Sequence, residues 1–580
     1  MNRCLFCLIA LLILPLTVNA HADEVDEYIK AQMQKWHVPG LSLAIIQDGK
    51  IIKAAGYGVR EPSSNQPVTP TTLFQAGSIS KAVAAVGVLK LVDQGKFNLD
   101  EDVNQKLRSW KVPENEFTRE QKVTLRRILS HTAGLTVHGF GGYAVDQPVP
   151  SLVQVLDGAK PANSPPIRVD IVPGSQWRYS GGGYTVMQQM LLDVIGTPFP
   201  DFMQKTVLGP LGMKESTYMQ PLPEQWAKRT ATGTYPDGSA VRGRWHVYPE
   251  MAAAGLWTTA SDLATFAIGI QNAFTGKNNT ILSSALVHQM LTVEKADDGL
   301  GVFLEGKEKT LRFEHNGRDE GFDALLVAYA GTGQGVAIMI NSNASSDIMG
   351  RVARAVGKKY GWPGYPTNNV EPILSLKIET KTLETLAGYY DLSGSVLTLT
   401  HGTDRLIART DDGLMDEFLP ISETTFVGPD TGIKLSFEKN GTGTTYKAVL
   451  LMPEGQSTKL TPFCSLLSGV KPEDDPDIAR TTHVQEFVTM LKNGGRGIAD
   501  ATYVTTGAKN DVKEGYPPAQ QVGTLTFICD RDIADRNITR HGGKVARLAT
   551  YSIHGGKPSR FFLVYLTVEG LITDIDIVTE

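Results

Sequence analysis

Ser78-Ile79-Ser80-Lys81-Ala82-Val83-Ala84-Ala85-Val86-Gly87-Val88-Leu89 sets a serine three residues ahead of a lysine and then runs almost wholly apolar. On a helix, serine and lysine side chains at that spacing share one face about a turn apart. A helix with no polar face is a buried helix, so the lysine cannot simply reach out to water. An ammonium held in such a place shifts toward its neutral form or finds a partner. Ser78 opens the helix, at the end where free backbone N–H groups favour developing negative charge. The spacing predicts a buried helix whose first turn offers a weak hydroxyl beside a base.

Ser-x-x-Lys alone proves little. Two further copies, Ser436-Phe437-Glu438-Lys439 and Ser468-Gly469-Val470-Lys471, sit in strand-like or loop-like sequence with no apolar helix behind them. The first copy has company. Pro173-Gly174-Ser175-Gln176-Trp177-Arg178-Tyr179-Ser180-Gly181-Gly182-Gly183-Tyr184 reads as a tight loop ahead of an apolar helix over 186–195, with Tyr179 projecting from it. A phenol titrates near 10, and a neighbouring lysine cation favours its phenolate. His315-Asn316-Gly317 precedes the alternating segment 322–329. There a glycine lets a substrate lie against the start of a strand, and the histidine offers a donor or acceptor at neutral pH.

These motifs, in this order, make residues 25–360 resemble the serine hydrolase family of class C β-lactamases, D-aminopeptidases, related esterases and penicillin-binding-protein homologues. Leu129-Ser130-His131-Thr132-Ala133-Gly134-Leu135 and Ala254-Gly255-Leu256-Trp257-Thr258-Thr259-Ala260-Ser261-Asp262-Leu263 support the resemblance. It implies an α/β fold: an antiparallel sheet flanked by helices, an all-helical subdomain, and a site in the cleft between them. It also implies an acyl-enzyme on Ser78, with Lys81 and Tyr179 sharing the proton transfers. The pair titrates together, and which member is deprotonated at rest stays open. The implied oxyanion hole uses the backbone N–H groups of Ser78 and Arg318. His315, Gly317 and Gly181 fall at substrate-binding positions. Two of these depart from the β-lactamase pattern: Gly181 stands where asparagine is usual, and His315 where a lysine cation is usual. His131 reads as structural, and Tyr184 and Trp257 as core beneath the site.

At 580 residues the chain is long enough for two or three domains. With 41% hydrophobic and 20% charged residues it is globular in composition, and a net charge of −5 argues against a nucleic-acid partner. The eleven histidines show no His-Glu-x-x-His pattern, so the sequence implies neither a metal nor another cofactor. The start reads as a secretory signal over residues 1–22: Arg3, an apolar core over 5–16, and Ala20-His21-Ala22 before the cut. Its expected destination is the periplasm or the medium. No later stretch would span a bilayer. Cys4 and Cys7 leave with the signal; Cys464 and Cys529 stay, and in an oxidising compartment they are a candidate pair.

An amphipathic helix opens the mature chain, and segments 41–46 and 51–55 flank Gln47-Asp48-Gly49-Lys50, a hairpin signal. A second hairpin is expected over 324–340, and a helix over 347–360 closes the unit. Strands at both ends imply one sheet completed by the two halves of a domain spanning 23–364. Trp362-Pro363-Gly364-Tyr365-Pro366-Thr367-Asn368-Asn369 reads as a linker. Alternating runs then indicate a small all-β, barrel-like domain over 375–463. An α+β domain over 472–580, of the cone-shaped NTF2-like kind, follows.

The leading expectation is a secreted or periplasmic serine hydrolase acting on esters or D-amino-acid amides. Its substrate is a small molecule or peptide, cell-wall fragments included. The alternatives are a β-lactamase or penicillin-binding D,D-carboxypeptidase and, from another class, an inert binding or sensing protein of the same fold.

Overall fold

Asp48 and Gly49 both take positive φ, 53° and 70°, the backbone of a type I′ turn that matches the twist of the strands it joins. They connect β1 (Gly40–Gln47) to β2 (Lys50–Gly58). A computed structural model of the chain describes residues 24–579 apart from 236–237, 279, 344–346, 367–374, 393–394, 411–414, 430, 440–445, 452–456, 466–474, 515–522, 535–538, 541–542 and 555–559. The signal-like residues 1–22 lie outside the described residues.

β1 is joined far along the chain by β3 (Phe303–Glu305), β4 (Arg312–Asp319), β5 (Phe322–Tyr329) and β6 (Gly335–Ile340). The antiparallel sheet has the order β2-β1-β6-β5-β4-β3. Leu41 faces Ile340 across the seam between the first and last parts of the unit, so the sheet closes only when both are present.

Successive residues of a strand point to opposite faces, and β1 is apolar on both because both faces are covered. Leu41, Leu43 and Ile45 pack with Val25, Ile29 and Met33 of α1 (Glu24–Lys35) and with Val352 and Val356 of α5 (Ile348–Tyr360). Ala44 and Ile46 belong to the larger core on the other face, with Leu263 and Phe266 of α4 (Ala260–Phe274). That core also holds α2 (Ile79–Asp93), buried at every position from Ile79 to Leu89, and α3 (Gly181–Ile195).

Two local expectations need correction. His315-Asn316-Gly317 lies within β4 rather than at the start of a strand. The glycines 181–183 are the first turn of α3 rather than a loop before it. The Ser180 hydroxyl accepts the Gly183 N–H at 3.0 Å and caps the helix. A Cβ on Gly182 would come within 2.5 Å of the Thr136 carbonyl, so the helix starts there only because the residue has none.

Eight strands between Gly388 and Ser465 form a closed barrel, the last (Ser457–Ser465) pairing with the first (Gly388–Leu392). Closure leaves no edge exposed. The second Ser-x-x-Lys copy lies on one of its strands, Lys434–Lys439; the third falls outside the described residues. Beyond the barrel, helices Ile478–Lys492 and Thr506–Glu514 accompany an antiparallel sheet whose main strands are Thr524–Asp532, Gly543–His554, Arg560–Thr567 and Ile572–Thr579. Cys464 belongs to a barrel strand, but its side chain lies outside the described residues, so the candidate pairing with Cys529 does too.

The barrel docks on the first unit through charge. Arg351 of α5, fully buried, donates to Asp416 at 2.7 Å, and Lys35 meets Glu417 at 3.0 Å. Breaking a buried pair from one side is costlier than hydrating both partners. Asp416→Ala is therefore expected to lower stability by about 3 kcal/mol, read as a fall in the unfolding midpoint. A chain ending at residue 366 rehydrates Arg351 and should unfold closer to the unaltered protein than this variant does.

Candidate functional site

Ser78 is the N-cap of α2, yet its side chain makes no capping bond. The hydroxyl points instead to the lysine one turn on, 2.9 Å from the Lys81 Nζ. Lys81 Nζ also donates to the Ala253 carbonyl at 2.8 Å and lies 5.1 Å from the centre of the Tyr179 ring. The Tyr179 hydroxyl completes the group, close enough to Ser78 for the serine to draw the phenol's pKa down. Ser78 and Tyr179 keep part of their surface accessible, whereas Lys81 is 2% exposed. A substrate can therefore reach the hydroxyl while the amine stays dry.

Burial pushes the Lys81 ammonium down to about 7, opposed by the charge of Asp319. Burial pushes Tyr179 the other way, above the usual phenol range, against the lowering influence of Ser78. The expectation that a lysine cation would favour the phenolate is thus reversed, because desolvation penalises the charged form of both groups. At neutral pH the amine, not the phenol, is the group able to take a proton from Ser78.

His315 is buried beside them, its ring 6.4 Å from that of Tyr179. Burial and the Lys81 charge hold it near 3, so at neutral pH it is an uncharged imidazole. Along β4, His315, Gly317 and Asp319 are buried while Asn316 and Arg318 are exposed, and the buried set faces the start of α2. A Cβ on Gly317 would lie 2.0 Å from the Ala76 carbonyl, and one on Gly77 would lie 2.4 Å from the Arg318 nitrogen. Two glycines therefore let strand and turn touch, bringing the Ser78 and Arg318 amides to one spot. The Arg318 guanidinium is held by Asp323 through two bonds of 2.8 and 3.0 Å.

Gly181 begins α3 with its N–H on the His138 carbonyl at 2.9 Å. A Cβ there would stand 3.0 Å from that carbonyl oxygen and 3.2 Å from Phe140. The space a longer side chain would occupy is filled by residues 138–140.

Several neighbours stand outside the quoted motifs. The His138 ring lies tilted 4.8 Å from the Tyr179 ring, and Phe303 packs 5.3 Å from His315. The run His138-Gly139-Phe140-Gly141-Gly142 was a usable signal, a glycine-rich loop carrying aromatic rings; Phe303 had none. His131 accepts the Ser180 N–H at 3.1 Å through Nδ1 and lies 4.2 Å from Tyr179, which makes it a support of the tyrosine strap. Trp177 anchors the same strap to Asp298 at 2.9 Å. Tyr184 and Trp257 are fully buried. Among the described residues no three His, Cys, Asp or Glu side chains converge to hold a metal ion.

A family model described as Beta-lactamase matches residues 25–359, more than half of the chain. The chain belongs to the β-lactamase family. Among curated relatives it is 24% identical over 214 residues to Protein flp of Staphylococcus aureus strain N315, covering 35% of this chain and 39% of that one. It is 28% identical over 260 residues to Penicillin-binding protein 4 of Amycolatopsis lactamdurans, covering 43% and 63%. The match thus spans about two fifths of the first relative and under two thirds of the second. The octameric penicillin-binding protein homologue from Pyrococcus abyssi has the same fold, with a TM-score of 0.52 at 20% identity over 75% of this chain and 99% of that one. The β-lactamase family is one of serine hydrolases, β-lactamases and penicillin-binding proteins among them.

The contact at Gly317 gives a direct test of this geometry. Gly317→Ala must separate β4 from the Gly77–Ser78 turn, since the Ala76 carbonyl is backbone and cannot swing aside. Labelling of Ser78 by a fluorophosphonate is expected to slow by a hundredfold or more, the typical effect of losing one oxyanion donor, while the far-ultraviolet circular dichroism stays unchanged.

Proposed function

We propose that this protein is a serine hydrolase that cleaves simple esters or D-amino-acid amides through an acyl-enzyme on Ser78, in preference to β-lactams. The observation that carries the reading is the dry amine of Lys81, 2.9 Å from a hydroxyl that substrate can reach. Lys81, neutral above about pH 7, takes the proton as Ser78 Oγ attacks the carbonyl carbon. The Ser78 and Arg318 amides receive the charge that forms on the carbonyl oxygen. Tyr179, protonated at rest, donates to the leaving group as the carbonyl–heteroatom bond breaks, and recovers a proton from Lys81. Water attacking the acyl-enzyme then runs the same transfers to free the acid.

The preference among substrates follows from what surrounds the pair. A β-lactam presents a carboxylate and an acylamido group. At the positions where β-lactamases usually meet them with a lysine cation and an asparagine amide, this chain has His315, kept neutral by burial, and Gly181, covered by His138 and Phe140. Arg318, the nearest guanidinium along β4, is engaged by Asp323. Each absent contact to a charged or buried group is worth roughly 1.5–3 kcal/mol, so the two together remove about two to four powers of ten in discrimination. Nothing in the acylating pair depends on either contact.

We infer further that the chain works in the periplasm or outside the cell, and that residues 23–364, 375–463 and 472–580 are three folding units, the first carrying the chemistry. Among the described residues no helix is long and apolar enough to cross a membrane.

A hydrolysis screen of the purified protein against short-chain nitrophenyl esters, D-amino-acid anilides and a chromogenic cephalosporin tests the substrate reading. A kcat/KM on the cephalosporin well above those on esters and amides restores the β-lactamase alternative. Ser78→Ala should abolish labelling and turnover at nearly unchanged thermal stability. Lys81→Ala should come close to it, and a variant within tenfold of the unaltered enzyme removes Lys81 from its assigned role. An unaltered protein that neither reacts with a fluorophosphonate nor turns over any of the three classes leaves the inert binding reading.

A further inference from the structure

Tyr179 ends a strap, residues 173–179, that is tied down at several points. The Gly174 and Arg178 amides donate to the Thr132 and His131 carbonyls at 2.7 and 2.8 Å, and the Ser180 amide to His131 Nδ1 at 3.1 Å. A second set of ties comes from the turn 295–303. Lys295 Nζ donates to the Gly174 and Ser175 carbonyls at 3.1 and 2.5 Å, and the Trp177 indole N–H donates to Asp298 Oδ2 at 2.9 Å. The turn is itself fixed on α2. Gly301, at a φ of 92°, comes so near that a Cβ on it would lie 2.5 Å from the Ala85 Cβ, and its N–H donates to the Leu129 carbonyl at 3.0 Å. Ala85 is about one turn beyond Lys81 on the same helix. The bond between Trp177 and Asp298 therefore registers the tyrosine strap against the helix that carries Ser78 and Lys81. Asp298 is 1% exposed and Trp177 37%, so an indole at the surface reaches down to a dry carboxyl. Among the described residues no lysine or arginine pairs with that carboxyl. A buried carboxyl without a cation is costly to keep, and none of the site's motifs accounts for it.

We propose that Asp298 is a positioning residue for Tyr179: through the Trp177 indole it holds the phenol where it can protonate a leaving group, and so decides whether the enzyme cleaves alkyl esters and amides or only activated aryl esters. The proposal rests on the reading of Ser78, Lys81 and Tyr179 as the acylating group. The Tyr179 ring meets its neighbours by packing, 4.2 Å from His131, 4.8 Å from His138 and 6.4 Å from Phe303. Apolar contact is non-directional, so the backbone that carries the ring sets the place of its oxygen. Trp177 lies two residues before Tyr179, and its indole bond fixes that backbone. Phe303, at the end of the same turn, lies within 14° of parallel to the Tyr179 ring, so the turn meets the tyrosine at both strap and ring. When the carbonyl–heteroatom bond breaks, its electron pair goes to the leaving atom. A 4-nitrophenolate bears that pair unaided, whereas an alkoxide or amine nitrogen departs only as the Tyr179 proton reaches it. A misplaced phenol is therefore felt by poor leaving groups. Lys81 takes the Ser78 proton without the strap, since the amine is held by α2 and the Ala253 carbonyl. Burial raises the Asp298 carboxyl to about 7 and the indole bond draws it down. Its oxygen accepts from the indole in either protonation state, so an asparagine amide oxygen can take its place.

The test compares leaving groups. The kcat/KM, which reports acylation, is measured with 4-nitrophenyl, phenyl and ethyl acetate and with a D-amino-acid anilide. The proteins are the unaltered chain, Trp177→Phe, Asp298→Ala, Asp298→Asn and the double variant Trp177→Phe with Asp298→Ala. Each of Trp177→Phe and Asp298→Ala should lose about a hundredfold or more on ethyl acetate and the anilide, the typical worth of a placed acid, and stay within about fivefold on 4-nitrophenyl acetate. The double variant should lose no more than the worse single one, because both remove the same bond. Asp298→Asn, which keeps an acceptor, should keep the unaltered pattern. A loss of equal size on every leaving group marks the bond as structural support and overturns the proposal. Losses that add in the double variant, or an Asp298→Asn protein that behaves like Asp298→Ala, do the same. So does failure of both Trp177→Phe and Asp298→Ala to fold by circular dichroism. An unaltered enzyme that cleaves only the 4-nitrophenyl ester has no acid to position, which overturns the proposal and leaves Ser78 as nucleophile. An unaltered protein that a fluorophosphonate does not label at Ser78 overturns the hydrolase reading itself.

Discussion

The amine of Lys81 lies in a place built from α2, α3 and the Ala253 carbonyl, with a serine hydroxyl 2.9 Å away and almost no water. Desolvation of that one cation organises much of what surrounds it. It lowers the lysine toward neutrality, and burial, with the lysine's charge second, lowers three neighbouring imidazoles as well. The same dryness raises Tyr179, so base and acid are separated by environment rather than by intrinsic chemistry. The all-round burial of this apolar helix is what leaves its lysine partly unprotonated, and so able to accept a proton, at neutral pH.

The second constraint is steric. Gly77 and Gly317 face each other across a gap that a single methyl would close, and this contact brings the first turn of α2 and β4 to one point. Both are held from far away. β4 belongs to a sheet that is complete only when β1 pairs with β6, and the Ala76 N–H is fixed on the Leu256 carbonyl at 2.9 Å. Chain segments separated by more than two hundred residues thus meet to make one small site.

Much of this was legible in the sequence because it rests on local signals. The hairpin at Asp48-Gly49, the buried helix after Ser78 and the two halves of the sheet follow from turn chemistry and periodicity. Ser78, Lys81, Tyr179, His315 and Gly317 stand in motifs and are brought together as one group. The start of α3 was misread because three successive glycines signal a loop, while the cap from Ser180 and the crowding at Gly182 are tertiary facts. The tyrosine's protonation was misjudged for a related reason: charge proximity can be guessed from spacing, but desolvation needs the full packing. His138 and Phe303 were missed because their places beside Tyr179 and His315 depend on what lies across the cleft. The docking of Arg351 on Asp416 had no sequence signal, since neither residue departs from ordinary surface composition.

The cover over Gly181 has a consequence for how this site can change. Residues 137 and 138 accept the Gly182 and Gly181 amides at 3.0 and 2.9 Å, and Val137 is held at a φ of 65°, a strained value for a β-branched residue. The His138 carbonyl and the Phe140 ring crowd a Cβ at 181, at 3.0 and 3.2 Å, so a longer side chain there needs residues 138–140 to give way. Making room for an amide at 181 therefore involves the segment around 137–142 as well as residue 181 itself.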